Sequence, residues 1–191
     1  MKKLFFVLVL TSLALAGCIG TKQTRQTTDA LQQDKATELK FDFTRQSGLA
    51  TNQFAVWIED ENGQYVKTIY ATRFTANGGW RRRPDSIPDW VSRSDLSRMS
   101  KDQTDAVSGA TPKTGTQKFI WDGTDSKGIT VPAGDYTLYL EGTLRWENQV
   151  IYRIPIRFGR GDTLAEVYVE YSGDFITERS MINNVMVQVF K

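Results

Sequence analysis

WDGTDSKGITVPAGDYTL, residues 121–138, is the stretch of sequence that decides the fold. Trp121 and Tyr136 carry large side chains that need burial, and the glycines between them supply positions for turns. Pro132 lacks a backbone N–H and ends the connection before the next strand begins. The stretch therefore predicts two short β-strands joined by a Gly-rich connection.

On both sides of this stretch, apolar residues recur with a period of two. Phe54, Val56 and Ile58 show the pattern most clearly, and it is typical of β-strands with one or both faces covered. The Asn-Gly pair in residues 60–63 favours a tight hairpin in which both turn residues take positive φ. Strands are predicted at residues 39–43, 54–58, 65–74, 117–121, 136–146, 150–158, 165–171 and 184–190. Eight or so short strands without a long helical pattern predict an antiparallel two-sheet sandwich over residues 38–191.

The stretch at 121–138 resembles the immunoglobulin-like domain of the flagellar hook-capping protein and its secreted relatives. In those domains "WDG", an acidic glycine turn and "PAGxYTL" join two strands. The resemblance implies an all-β, Ig-like antiparallel sandwich, here with one long inserted loop at residues 76–115. Calcium at Asp122 and Asp125 is an alternative. These residues lack the alternating ligands and terminal Glu of a calcium loop, so a solvated hairpin is favoured and no metal is predicted.

The composition excludes several classes of function. The 191 residues include one Cys and no His, so the chain cannot form a Ser-His-Asp or Cys-His pair, an imidazole base or a His-bearing zinc site. A hydrolase or transferase that uses carboxylates such as Glu59, Asp60 or Asp122 is the remaining enzymatic alternative. Nothing in their spacing singles out an acid and base pair, because carboxylates beside Gly and Asn mostly form turns. We predict that the protein is not an enzyme.

The N-terminus has the features of a secretory signal. Lys2 and Lys3 precede an apolar run that ends in Leu-Ala-Gly-Cys at residues 15–18. This ending resembles the lipobox of bacterial lipoproteins, which implies a signal peptide at residues 1–17 and a lipid anchor on Cys18. Ile19 resembles the outer-membrane sorting pattern. Cleavage before a leftover free thiol is the alternative.

Residues 18–37 are polar and predict a flexible tether. Loss of Lys2 and Lys3 from the 24 basic residues leaves as many basic as acidic side chains, 22 of each. The mature chain is therefore close to neutral, and we predict no nucleic-acid partner.

The inserted loop at 76–115 carries the candidate binding residues. A connection of this length inside a domain is usually functional or disordered. The candidate ligand or partner residues are Trp80, Arg81, Arg82, Arg83 and Trp90. They would suit an anionic ligand or a docked partner. In the alternative, the arginines stack on the tryptophans and pair with Asp85, Asp89 and Asp95, which holds the loop flat on the sandwich.

The same loop contains Asp105-Ala106-Val107-Ser108-Gly109-Ala110-Thr111, which fits the pattern D-x-x-[S/T]-G-A-T. The heptapeptide resembles the acceptor sequence of bacterial flavin transferases, which join FMN through its phosphate to the hydroxyl of the final Thr. The resemblance implies covalent FMN on Thr111, with Asp105, Ser108, Gly109 and Ala110 as the recognised residues. Pro112 disfavours a helix at Thr111 and predicts an extended surface segment. An ordinary small-residue turn before the strand at Gln117 is the alternative.

From residue 38 onward, the chain resembles a bacterial family of periplasmic domains of unknown function. The resemblance rests on "FAVWIEDENGQYVKTIY", "IPDWV", "DAVSGATPKTG", "WDG" and "PAGDYTL". Members are often encoded near flavin transferases and PepSY-type membrane redox proteins. The expected function is that of an anchored periplasmic accessory of flavin-linked electron transfer, with Trp80 or Trp90 beneath the flavin ring and the arginines at its phosphate. The alternative is a binding module that docks a partner protein or envelope polymer through the Trp and Arg residues.

Overall fold

Ten strands form two sheets in the computed structural model, which describes residues 35–48, 51–145, 148–161, 163–173 and 181–190. The predicted signal peptide, Cys18 and nearly all of the tether lie outside the described residues. The strands are β1 (Thr37–Phe43), β2 (Thr51–Asp60), β3 (Tyr65–Thr72), β4 (Ser108–Gly109), β5 (Gly115–Trp121), β6 (Gly134–Arg145), β7 (Asn148–Phe158), β8 (Thr163–Leu164), β9 (Tyr168–Ser172) and β10 (Ile182–Val189).

The smaller sheet has the order β5-β1-β10-β8, and the larger has the order β4-β3-β2-β6-β7-β9. All pairings are antiparallel except the short parallel pairing of β3 with β4. The all-β, two-sheet sandwich predicted from the sequence is confirmed. Of the segment predicted as a strand at 165–171, only residues 168–171 form a strand, as part of β9 in the larger sheet. Residues 165–167 instead connect β9 to β8 in the smaller sheet.

The first core lies between the two sheets. Leu39, Phe41 and Phe43 of β1 are buried there, and Trp121 packs edge-on against Tyr136 with 5.2 Å between the ring centroids. The burial expected of these two residues is therefore confirmed. The Tyr136 hydroxyl also donates a 2.9 Å hydrogen bond to the Pro132 carbonyl, which fixes the end of the Gly-rich connection.

A second core covers the outer face of the larger sheet. Ala55 and Trp57 of β2 and Ala71 of β3 pack there against Ile87 and Trp90 of the insertion. Residues Phe54, Val56 and Ile58 face the first core. Because β2 is covered on both faces, its sequence is apolar throughout 54–58.

The insertion folds onto this outer face instead of forming an irregular loop. It contains α1 (Arg73–Ala76), a 3₁₀ turn (Gly79–Arg81), α2 (Pro88–Arg93), a second 3₁₀ turn (Leu96–Arg98) and α3 (Lys101–Val107). These helices have four to seven residues and are too short to be stable alone, so tertiary contacts must hold them. In the part of the chain that the structure describes, no helix has the length and hydropathy needed to cross a membrane.

The predicted hairpin between β2 and β3 is present, but its turn differs from the expected one. Only Gly63 takes a positive φ within residues 60–63, at 73°. The Asp60 carboxylate accepts hydrogen bonds from the backbone N–H groups of Asn62 and Gln64. The side chain of Asp60 thus stabilises a longer turn, and a second positive φ at Asn62 is not needed.

Candidate functional site

The D-x-x-S-G-A-T segment begins on helix α3. Ser100 caps this helix reciprocally: its Oγ accepts from the Gln103 N–H, and Gln103 Oε1 accepts from the Ser100 N–H. The cap fixes where the helix starts. Asp105 lies exposed on the last turn, and the chain extends from Ser108 onward.

Ser108 and Gly109 then pair in parallel with Ala71 and Thr72. The segment thus forms the outer edge of the larger sheet beside the end of β3. Both residues are half-buried, and Ser108 Oγ is buried with no hydrogen-bond partner among the described residues.

Tyr70 fixes the position of the segment. Its ring lies so close to Gly109 that a Cβ at that position would come within 2.5 Å of Tyr70 Cε2. Its hydroxyl donates a 2.8 Å hydrogen bond to the Ala110 carbonyl. Burial raises the pKa of Tyr70 to about 12, and the positive charge of Arg73 acts in the opposite direction. The hydroxyl therefore stays protonated and keeps donating at physiological pH.

Thr111 is half-buried, and its hydroxyl donates a long 3.4 Å hydrogen bond to the Asn52 carbonyl. Asn52 has a positive φ of 65°. Its Oδ1 accepts a 2.7 Å hydrogen bond from the Gln46 N–H, and its Nδ2 donates a 2.7 Å hydrogen bond to the Gln46 carbonyl. The strained backbone of Asn52 is thereby held in place. At 3.4 Å this hydrogen bond restrains the half-buried hydroxyl only weakly.

The tryptophans and arginines of the insertion do not form one surface. Trp80 is half-buried with the Arg81 guanidinium 4.8 Å above its ring, and Arg82 lies 5.7 Å from the ring of Phe74. Trp90 is 0% exposed and Arg83 only 8%. Trp90 and Arg83 are therefore structural residues, and neither can contact a flavin or a partner docked on the surface.

The expected pairing of the arginines with acidic residues is found only in part. Arg98 pairs with Asp95 at 3.3 Å. Arg93 instead pairs with the buried Glu59 of β2 at 3.4 Å. Burial lowers the pKa of Arg83, and the charge of Asp85 raises it. Two nitrogen atoms of Arg83, Nε and Nη2, have no hydrogen-bond partner in the described structure.

A groove of about 660 Å³ lies between the start of β3 and helix α3. Apolar atoms come from Ile69, Met99 and Val107, and charged side chains such as Lys67 and Arg98 lie at its rim. Val107, four residues before Thr111, is the lining residue closest to it in sequence, and Thr111 itself does not line the groove. The groove is therefore a separate feature from the acceptor threonine.

The acidic turn forms the solvated hairpin favoured by the sequence. Asp122 Oδ1 accepts from the N–H and hydroxyl of Thr124, and Lys67 Nζ lies 3.1 Å away. Asp125 Oδ1 accepts from two backbone N–H groups of its own turn. Within the described ranges, no group of three or more acidic, His or Cys side chains could hold a metal ion.

Sequence reasoning missed the two residues that hydrogen-bond the end of the motif, Tyr70 and Asn52, and did not single out Phe74 in the insertion. Tyr70 and Asn52 contact the motif through hydrogen bonds between residues about 40 to 60 positions apart in sequence, and local sequence patterns do not encode such contacts. A signal was present in part: the exposed apolar Phe74 ends the strand pattern that was predicted to run from 65 to 74.

The fold and the edge segment define a class, an all-β sandwich with a helical insertion that presents a small-residue motif at one sheet edge. A family described as predicted periplasmic protein (DUF2271) matches residues 35–173, and the chain belongs to this family. Neither a curated protein nor a solved structure matches the chain. The expected membership in a periplasmic family of unknown function is thus confirmed.

Proposed function

We propose that this protein is a non-enzymatic carrier of covalently bound FMN that serves electron transfer outside the cytosol, with Thr111 as the attachment site. The observation that carries the proposal is the position of the D-x-x-S-G-A-T segment. Ser108 and Gly109 of this segment pair along a sheet edge, Ala110 is exposed, and the Thr111 hydroxyl donates a 3.4 Å hydrogen bond. A modifying enzyme can approach such an edge without unfolding the domain.

The modification requires a flavin transferase and a flavin dinucleotide as donor. Thr111 Oγ1 attacks the phosphorus on the FMN side and forms a new P–O bond. The anhydride P–O bond breaks, AMP leaves with the bonding electron pair, and the hydroxyl proton passes to a base of the transferase. The product is a phosphodiester between FMN and the threonine.

FMN held on Thr111 would supply electron transfer between a reduced membrane redox protein and an oxidised acceptor in the same compartment. The protein supplies attachment and orientation, and the chemistry belongs to the cofactor. The absence of histidine from the chain suits a carrier without acid and base catalysis.

We also propose that Cys18 carries a lipid anchor that keeps the carrier on the periplasmic face of the outer membrane. Two or three acyl chains hold a protein stably on a bilayer, whereas one holds it only marginally. We expect Cys18→Ser to move the protein from the membrane fraction to the soluble fraction. Retention of the variant in the membrane fraction would exclude the anchor.

Co-expression of the full chain with a flavin transferase tests the carrier. We expect the denatured protein to fluoresce as flavin in a gel and its intact mass to rise by one FMN less one water. Thr111→Ala should lose both signals, whereas Thr111→Ser keeps a hydroxyl and should retain some modification.

Thr114→Ala is the matched control, since Thr114 is an exposed threonine of the same segment. It should keep both signals. A wild-type gel band without flavin fluorescence would contradict the proposal. Flavin fluorescence that Thr111→Ala leaves unchanged would contradict it as well.

A binding module is the second candidate, and a different observation favours it. Trp80 stays half-exposed with Arg81 stacked on its ring, an arrangement found where tryptophan and arginine anchor a partner protein or an envelope polymer. Cross-linking in intact cells distinguishes the two candidates. A cross-linked partner lost in the Trp80→Ala, Arg81→Ala double variant and kept in Thr111→Ala would favour the module.

A further inference from the structure

Phe74 lies on helix α1, which begins directly after Thr72, the last residue of β3 to pair with the acceptor segment. Gly109 is paired in parallel with Thr72, and Thr111 and Phe74 each follow two positions later. Helix α1, which carries Phe74, contacts both β4 and α3. Helix α1 therefore lies beside the acceptor segment.

Phe74 is an unusual residue for this surface, because it leaves 40% of its area exposed while its neighbours Thr75 and Ala76 are buried. Its ring is fixed from behind by the backbone at Gly79, where a Cβ would come within 2.7 Å of the ring. The guanidinium of Arg82 lies 5.7 Å from the ring centroid. The pair offers an aromatic ring and a planar cation, and both stack on flat π-systems.

Arg73 supplies a second cation on the same side. It is exposed, and its side chain makes no hydrogen bond or ion pair with any described residue. Its charge acts on the Tyr70 hydroxyl, which is bonded to the carbonyl of Ala110, the residue before Thr111. A phosphodiester on Thr111 carries one negative charge, and an unpaired arginine is the side chain best suited to meet it.

The other aromatic residues of the insertion do not fit this role. Trp90 is fully buried and donates its Nε1–H to Thr68 at 2.8 Å. Thr111 is not among the residues that line the groove beside Thr68. Among the aromatic residues of the insertion, Phe74 is the one that is exposed, lies beside a guanidinium and belongs to the helix that contacts β4.

We infer that Phe74 and Arg82 form the bed for the isoalloxazine ring of FMN attached to Thr111, and that Arg73 pairs with its phosphate. This inference rests on the proposed function, because it describes where the carried cofactor lies. Arg82 moves from its exposed contact with Phe74 to the flavin. Positive charge beside the ring favours the reduced, anionic flavin.

The test uses the full chain modified by a flavin transferase, with intact mass measured first on every variant. We expect Arg82→Gln to lower the midpoint potential of the attached flavin, because a cation beside the reduced ring is lost. Phe74→Leu should increase quenching of the flavin fluorescence by iodide and weaken the visible circular dichroism of the flavin. Arg73→Gln should lower the yield of modification or the midpoint potential.

Arg81→Gln and Ile129→Ala are the matched controls, an arginine stacked on Trp80 and an exposed apolar residue of another loop. Both should leave the potential, iodide quenching and circular dichroism unchanged. If the mass shows FMN on Thr111 but the Arg82 and Phe74 variants match wild type in all three measurements, the bed is excluded and the carrier stands. If no FMN is attached, the carrier fails and the bed with it.

Discussion

Oε2 of Glu141 accepts a 2.8 Å hydrogen bond from the backbone N–H of Trp90, across the contact between the larger sheet and its helical insertion. The other carboxylate oxygen accepts from the Asp89 N–H at 3.1 Å. Glu141 thus binds the start of helix α2, where backbone N–H groups have no partner within the helix. This carboxyl group is buried, so its ionisation is coupled to the stability of the fold.

The first prediction concerns the pH dependence of unfolding. Burial raises the pKa of Glu141 from 4.5 to about 8, although the two backbone hydrogen bonds lower it. The folded state therefore holds the proton more tightly than the unfolded chain between these values. We expect the free energy of unfolding to fall as pH rises from about 4.5 to 8, with a slope of up to about 1.4 kcal/mol per pH unit.

Urea unfolding of Glu141→Gln across this pH range measures the effect. The variant should lose most of the slope, and the absence of histidine leaves few other side chains to titrate there. Glu170→Gln is the control, because Glu170 is exposed and paired with Arg153. An equal slope in wild type and Glu141→Gln would show that another group is responsible.

The second prediction concerns the close approach of Tyr70 to Gly109. Gly109→Ala should destabilise the domain by about 1–3 kcal/mol, because the added methyl would overlap the ring. Tyr70→Phe keeps the ring and removes the hydrogen bond to Ala110, and should cost about 0.5–1.5 kcal/mol.

Urea denaturation gives both values. Gly134→Ala is the matched control, since a Cβ there would lie 3.7 Å from its nearest neighbour. If Gly109→Ala were as stable as wild type, the edge segment would be free to move away from Tyr70.

The third prediction separates the two tryptophans of the insertion. Trp90→Ala should cost about 3–5 kcal/mol, because it empties a fully buried site and removes one of the two hydrogen bonds of the Thr68 hydroxyl. Trp80→Ala should cost much less, because Trp80 is half-buried. Chemical denaturation followed by tryptophan fluorescence measures the free energy of unfolding of both variants. A larger loss of stability for Trp80→Ala than for Trp90→Ala would contradict the deeper burial of Trp90.

The fourth prediction concerns two arginines with opposite surroundings. Arg83 is buried with two unpaired nitrogen atoms, so Arg83→Met should leave the free energy of unfolding unchanged or raise it. Arg93 is about half exposed but pairs with buried Glu59, so Arg93→Met should be destabilising. Thermal and urea unfolding of the two variants gives the order, and the reverse order would show that Arg83 has a stabilising partner.

The sequence predicted the strands of the sandwich because each carries its own evidence. Apolar residues alternate with polar residues in β1, whereas residues 54–58 of β2 are apolar throughout. Both patterns reflect which faces of the strand are covered, and each can be recognised within a single segment. The helices of the insertion leave no such signal. Each is shorter than two full turns, and their order comes from contacts such as Glu141 with Trp90 that join positions 51 apart.

The candidate site was predictable only as a motif. The pattern ending at Thr111 located the segment, and Pro112 indicated its extended form. The chain offers no local sign that Trp90 is buried while Phe74 is exposed, since both are large aromatic residues in the same insertion. That difference is decided by which face of the sheet each helix meets.

The short strand at Ser108–Gly109 affects the tendency of the protein to aggregate at high concentration. An uncovered strand edge invites a neighbouring copy to pair with it, and this is a common route to aggregation. The small-residue motif shields the last two residues of β3 from such pairing. Deleting or replacing the motif would therefore lower solubility as well as remove the threonine. The heptapeptide thus has a structural role that does not depend on flavin attachment.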